Sequence, residues 1–226
     1  MNRAINCRRS VGIVAVLLVA MASQAGAADP GWKVKVSGMW VDPDFRWDSV
    51  SEYDERQSAV STSDIGFGLG LEFRISDRLG VELVASWTEP EIAVHYELPD
   101  LVDVRDADTL GFNPITVAVN IYLTPNRPVE VYLAPMIAFV QYGDLAYNLG
   151  MFCEPGMLCT IRFKVDDDVG WGAALGIDVP LGDRGWVLSG SVGYLDTDFK
   201  VTDSDGDSES FGFDPVTATL GISYRF

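Results

Sequence analysis

The sequence predicts an all-β protein, an eight-stranded antiparallel up-and-down transmembrane β-barrel. Three observations carry that prediction. The first 27 residues read as a secretory signal peptide. The rest of the chain alternates apolar and small or polar residues with a period of two. The connections between the alternating runs are by turns short and long.

The amino-terminal segment carries Arg3, Arg8 and Arg9 and no acid. An apolar run, Val11 to Met21, follows, and then Ala25-Gly26-Ala27, a small-x-small cleavage pattern. The run is too short to span a bilayer as a helix. Cleavage after Ala27 divides the chain into a signal peptide, 1–27, and a barrel, 28–226 with four long external loops. Cys7 lies ahead of the apolar run, so it leaves with the signal. Cleavage lowers the basic residues from 16 to 13 against 33 acidic ones, a net charge of −20. Such a chain repels phosphate, which excludes nucleic acid as a partner.

Eight runs read as strands. Trp32–Val41 is the first. Ile65-Gly-Phe67-Gly-Leu69-Gly-Leu71-Glu-Phe73-Arg-Ile75 is the clearest, with large apolar residues at every odd position. Leu79–Trp87, Ile115–Leu123, Val129–Tyr142, Val169–Val179, Trp186–Tyr194 and Val216–Phe226 follow. Each is near the ~9–11 residues that cross a bilayer as a tilted strand. Ser76–Arg78, Thr124–Pro128 and Pro180–Gly185 are short connections; 42–63, 90–109, 143–166 and 196–213 are long and polar. Plain turns on one rim and long loops on the other are the pattern of an outer-membrane barrel.

The bulky face decides the solvent. A secreted lipocalin-like barrel would pack its bulk inward. An eight-stranded barrel has room inside only for side chains that fill it. The small and polar set therefore faces in, and Ile, Leu, Val, Phe and Trp face lipid. Outward aromatics cluster near strand ends: Trp32, Phe73, Trp186, Tyr224 and Phe226 on the plain rim, Trp40, Trp87, Trp171 and Tyr194 on the loop rim. These are two interfacial girdles. Phe226 would close the last strand at the periplasmic interface rather than fray.

Four segments, GLGLEFRISDRLGVELVAS, DDVGWGAALGIDV, WVLSGSVGYLDTDF and FDPVTATLGISYRF, resemble the OmpW family in order and spacing. The long loops do not match. The resemblance implies an eight-stranded barrel in the bacterial outer membrane with a narrow apolar inner channel. It implies passage of small hydrophobic molecules with lateral escape into the membrane. It also makes Tyr224 and Phe226 the insertion signal read by the barrel assembly machinery. Gly193 stands where relatives often carry a bulky inward residue.

The inward residues sort by depth. Near the periplasmic rim lie Lys33, Lys35, Glu72, Arg74, Glu82, Glu130, Asp178 and Arg225. Four positive and four negative side chains on neighbouring strands predict a salt-bridged plug, because buried charges must pair. Higher up lie Met39, Val84, Ala118, Met136, Ala138, Val140, Ala174 and Leu195, a small apolar set that could carry a ligand path. The competing reading is that both layers are packing. Pro135 lies inside a strand, where it removes a ladder donor. It marks a lateral gap or a bulge.

Candidates for chemistry are few, and no enzyme activity, cofactor or metal is expected. His95 is the single histidine and stands beside a long loop with no His-x-Ser near it. A lipid-modifying barrel enzyme is the lesser alternative. Cys153 and Cys159, the two cysteines left after cleavage, read as a disulfide pinching the third loop. Asp203–Glu209 is an acidic loop without a full calcium pattern; divalent cations could still link it to lipopolysaccharide. Outer-membrane lipid, lipopolysaccharide and small hydrophobic solutes are the expected partners. A structural or adhesive barrel working through its loops, with Trp47, Tyr53 and Phe152, is the main alternative.

Overall fold

The computed structural model describes residues 31–50, 56–98, 101–148, 160–202 and 206–226. The signal segment and the Cys153–Cys159 pair lie outside the described residues, as do residues 203–205 of the acidic loop.

Eight strands form one closed antiparallel barrel: β1 (Trp32–Asp42), β4 (Asp64–Ser76), β5 (Leu79–Trp87), β8 (Phe112–Tyr122), β9 (Glu130–Tyr142), β12 (Asp168–Pro180), β13 (Trp186–Asp196) and β16 (Val216–Arg225). Around the barrel the order is β1-β16-β13-β12-β9-β8-β5-β4, so each strand pairs with its sequence neighbours and β1 meets β16. Closure removes the edges that an open sheet would expose to lipid. The carboxyl terminus is held as the terminal alternation requires. Lys33 pairs with Arg225 in register, and the Phe226 N–H donates to Trp32 O at 2.9 Å.

The period-two pattern sets the two faces. Val36, Ile65, Leu83, Val117, Ile137, Leu175 and Leu220 are all exposed on the outer surface. The outward aromatics pair within their girdles. Trp32 packs on Phe73 with centroids 4.8 Å apart, Trp186 on Tyr224 at 5.0 Å and Tyr224 on Phe226 at 5.0 Å. On the loop side Phe67 stacks on Trp87 at 4.9 Å.

The periplasmic turns are short. Asn126 (φ 59°) takes the left-handed conformation that Asn tolerates, and its N–H donates to Glu130 Oε1 at 3.1 Å. Gly185 (φ +78°) lets the chain pass Arg225; a Cβ there would lie 2.5 Å from Arg225 O.

The long connections are not irregular loops. They contain β2 (Arg46–Val50), β3 (Arg56–Ser61), β6 (Glu91–Leu98), β7 (Leu101–Thr109), β10 (Leu145–Asn148), β11 (Thr160–Asp166), β14 (Asp198–Thr202) and β15 (Ser208–Gly212). Each continues a barrel strand beyond the loop-side girdle. They pair into two separate sheets, β2-β3-β6-β7 and β10-β11-β14-β15. β1 pairs with β16 and β8 with β9, yet among the described residues no ladder joins β2 to β15 or β7 to β10. The barrel therefore splits on its outer side into two four-stranded half-walls. One seam is bridged by the Ala146 N–H donating to Asp108 Oδ2 at 2.6 Å. The other is bridged by rings, Phe45–Phe211 at 5.8 Å and Trp47–Phe211 at 6.3 Å.

Candidate functional site: a two-storey lumen under an apolar cup

The lower lumen collects all eight of the charges picked out by depth. Lys33 Nζ lies 2.6 Å from Glu72 Oε2 and 2.6 Å from Asp178 Oδ2. Lys35 pairs with Glu82. Arg74 holds Glu130 with both terminal nitrogens, at 2.9 and 3.0 Å, and Arg225 Nη2 reaches the same carboxylate at 2.8 Å. Several of these pairs span the barrel rather than adjacent strands. Lys33 on β1 reaches Asp178 on β12, and Arg74 on β4 reaches Glu130 on β9. The cations are needed by the register itself. Glu72 stands opposite Glu82 and Glu130 opposite Asp178, like charges that would repel without Lys33, Lys35 and the two arginines. Apart from the two arginines these side chains are nearly inaccessible, so the pairs act in a low dielectric.

Depth sorting did not pick out the polar and aromatic frame of this layer. The Tyr122 hydroxyl donates to Glu72 Oε1 at 2.6 Å, the Ser189 hydroxyl to Asp178 Oδ1 at 2.7 Å and Asn120 Nδ2 to Glu82 Oε2 at 3.1 Å. The Arg74 guanidinium lies 3.8 Å from the Tyr122 ring centroid. Tyr122 and Tyr132 pack together at 5.4 Å. The inward glycines are the other half of this packing. A Cβ on Gly176 would lie 2.1 Å from the Tyr132 ring, and one on Gly80 would lie 2.4 Å from Glu72 Oε1. The signal for Tyr122 and Tyr132 was their even position in strands whose odd positions face lipid.

Above the charges lies a small cavity of about 100 Å³. Met39, Val84, Ala118, Met136, Ala174 and Leu195 of the proposed path line it. So do Ser37, Ser86, Thr116, Ser191, Thr217 and Thr219. Hydroxyls thus share the wall with apolar groups, and the lumen is less apolar than the depth sorting made it. Ala138 and Val140 are fully buried in the core above and do not line this cavity. Gly193 is buried against Ala174, where an added Cβ would be tight at 3.1 Å.

The cavity is roofed by an aromatic septum. Phe112, Tyr142, Phe199 and Phe213 are buried together, with Phe112–Phe213 at 5.3 Å, Tyr142–Phe213 at 5.9 Å and Phe199–Phe213 at 5.8 Å. Phe112 forms part of the cavity below and Phe199 part of a second cavity above. One polar tie crosses the layer: the Tyr142 and Thr197 hydroxyls lie 3.1 Å apart, and Thr197 donates to Asp168 Oδ2 at 2.9 Å.

The upper cavity is the larger, about 450 Å³, and opens outward between the two half-walls as a cup. Phe45, Trp47, Ile92, Val94, Leu145 and Tyr147 are among its lining residues. Its volume and apolar walls are those of a small-molecule pocket. Of the residues picked out from the sequence, Trp47 and the end of the acidic segment, Asp207 to Glu209, line this cup. The available signal was the same alternation used for the barrel: Ile92-x-Val94, Leu145-x-Tyr147, Phe199-x-Val201 and Phe211-x-Phe213 each put one face inward.

Pro135 faces outward and stays in register. The β8–β9 ladder omits Val119↔Pro135 and Asn120↔Ala134 but resumes at Ile121↔Leu133 without a shift. A bulge would shift the register by a residue, so the proline removes a donor and produces no bulge. The opposite side of β8 has a second interruption. The β5–β8 ladder stops at Ala85↔Ile115 and resumes only at Thr88↔Phe112, skipping Pro114, which is buried and lines the lower cavity. His95 lies on β6, opposite Ser58 and Arg105, apart from the lumen charges.

Comparison with known proteins agrees with this architecture. The model of the outer membrane protein beta-barrel domain matches residues 11–226. No curated protein is similar enough in sequence to match. Among solved structures, the outer membrane protein OprG from Pseudomonas aeruginosa is similar with a TM-score of 0.62 at 21% identity, over 89% of this chain and 98% of that one. The outer membrane protein AlkL, in lipid bilayers, gives 0.55 at 15% identity over 90% and 93%. The Neisserial surface protein NspA gives 0.52 at 14% over 87% and 97%. At these identities the likeness is one of fold. The match over the barrel, the closed eight-stranded order and the twin girdles agree: this chain belongs to the outer membrane protein β-barrel domain family and resides in the bacterial outer membrane.

Proposed function

We propose that the barrel gives passage to small hydrophobic molecules, which enter the apolar cup, cross the aromatic septum and leave sideways into the membrane. One observation carries this reading. A cup of about 450 Å³ with apolar walls stands over a lumen whose periplasmic end is spanned by ion pairs. A solute admitted above meets a charged barrier below, where an apolar body gains nothing and the ion pairs would have to be broken. The two ladder interruptions beside β8 favour a lateral route along that strand, with Pro114 on the lumen side and Pro135 on the lipid side. Outer-membrane lipid and lipopolysaccharide then surround the girdled band. The barrel assembly machinery is the proposed reader of Tyr224 and Phe226 during insertion.

The test is uptake by proteoliposomes of refolded protein, using a small apolar probe beside a sugar-sized polar solute. Selective apolar uptake, lost in Ala138→Trp, supports the reading. Surface function that survives Ala138→Trp in a chain that takes up neither solute supports a barrel acting through its outer half-walls instead.

A further inference from the structure

We propose that the cup sorts small amphiphiles by charge, accepting an apolar body with a cationic or uncharged polar head and turning away the anionic counterpart. This rests on the passage reading and names the substrate class of the same site. The rim of the cup includes Asp207, just before β15, and Glu209 within it, which both line the cavity and are solvent-exposed. Gln57 and Ser208 are the neutral polar residues of the lining. Among the described residues no Lys, Arg or His lines the cavity. Of the bases on neighbouring strands, Arg46 pairs with Asp48 at 3.2 Å and Lys164 with Asp166, while Lys200 on β14 stands opposite Ser210 and does not line the cavity.

The surroundings have the same sign. Among the described residues, segments 42–64, 89–111, 143–168 and 196–214, which form the half-walls and their connections, hold 19 acidic and 6 basic residues. The other described residues hold 6 acidic and 7 basic. A net charge of −13 among the described residues therefore sits on the side with the cup. A cleft with low-dielectric walls and one sign of charge concentrates the opposite ion and repels its own. The aromatic lining adds to this, because Trp47, Phe45 and Phe163 are rings in the cavity wall and aromatic rings attract a cation. A carboxylate head gains neither.

Three probes of one shape separate the terms: 2-phenylethylammonium, 2-phenylethanol and phenylacetate, titrated into the refolded mature chain in zwitterionic micelles by calorimetry. The ammonium and the alcohol are expected to bind, and phenylacetate to bind about tenfold more weakly than the ammonium. The exposed rim variant Asp207→Asn/Glu209→Gln should cut the ammonium-to-carboxylate ratio about three- to tenfold and leave the alcohol unchanged. Raising the salt should shrink the ratio in the same direction. Equal binding of phenylacetate and the ammonium, or a ratio unmoved by the rim variant, overturns charge sorting while binding of the alcohol keeps the apolar cup. Binding of none of the three overturns both.

Discussion

The barrel is closed twice, at two heights, by opposite chemistry. Below, Lys33, Arg74 and Arg225 tie strands across the lumen through carboxylates that are each held by more than one donor. Above, Phe112, Tyr142, Phe199 and Phe213 close the lumen by ring packing, with one hydroxyl tie through Thr197. The difference lies in what opening would cost. Separating a buried ion from its partners leaves an uncompensated charge in a low dielectric. Rotating a ring exchanges one apolar contact for another, and an apolar solute in the cup can replace the lost contact. A closure that yields to hydrophobic solutes belongs at the top, and one that resists ions and polar solutes belongs at the bottom.

The largest test of this contrast is Lys33→Met. It leaves Glu72 and Asp178 buried without their shared cation and is expected to cost about 3–5 kcal/mol. The urea midpoint in lipid vesicles reads it. Adding Glu72→Gln and Asp178→Asn should recover most of the loss; no recovery would mean that Lys33 acts through packing alone. Next is Gly176→Val. Its side chain must displace the Tyr132 ring, and overpacking of about 1–3 kcal/mol is expected from the same measurement. The smallest is Pro135→Val, which restores one ladder donor and should stabilise by about 1 kcal/mol. Apolar uptake falling in that variant would place the lateral route on the β8–β9 seam. Unchanged uptake, together with a fall in Pro114→Val, would move it to the β5–β8 seam.

What the sequence alone disclosed follows the same division. The barrel strands were legible because lipid imposes a strict alternation, as in Ile65 to Ile75, and the plug charges because an inward Lys33 or Asp178 has no other place to be. Tyr122 and Tyr132 escaped notice because a large inward ring fits only where a partner glycine makes room, and Gly176 is far from Tyr132 in the chain. The cup was hidden for a different reason. Phe199, Val201, Phe211 and Phe213 keep a strand pattern, but Lys200, the acidic run at 203–209 and the length of the connection give it the composition of a solvated loop. The inner face of the cup emerges only when the β10–β11 and β14–β15 hairpins join, and that pairing brings together residues distant in sequence, such as Lys164 and Thr202. Pro114 and Pro135 could be read as missing donors, yet not as preserving register, since that depends on the strands on either side.

The contrast between the two closures is tested most directly by Phe199→Ala in proteoliposomes, with an apolar probe and a sugar-sized solute measured in the same preparation. Thinning the septum should raise apolar uptake above that of the unaltered chain, while the sugar stays at the level of protein-free vesicles because the ion pairs below remain in place. Sugar entering along with the probe, or apolar uptake left unchanged, would contradict an ionic floor beneath a yielding aromatic roof.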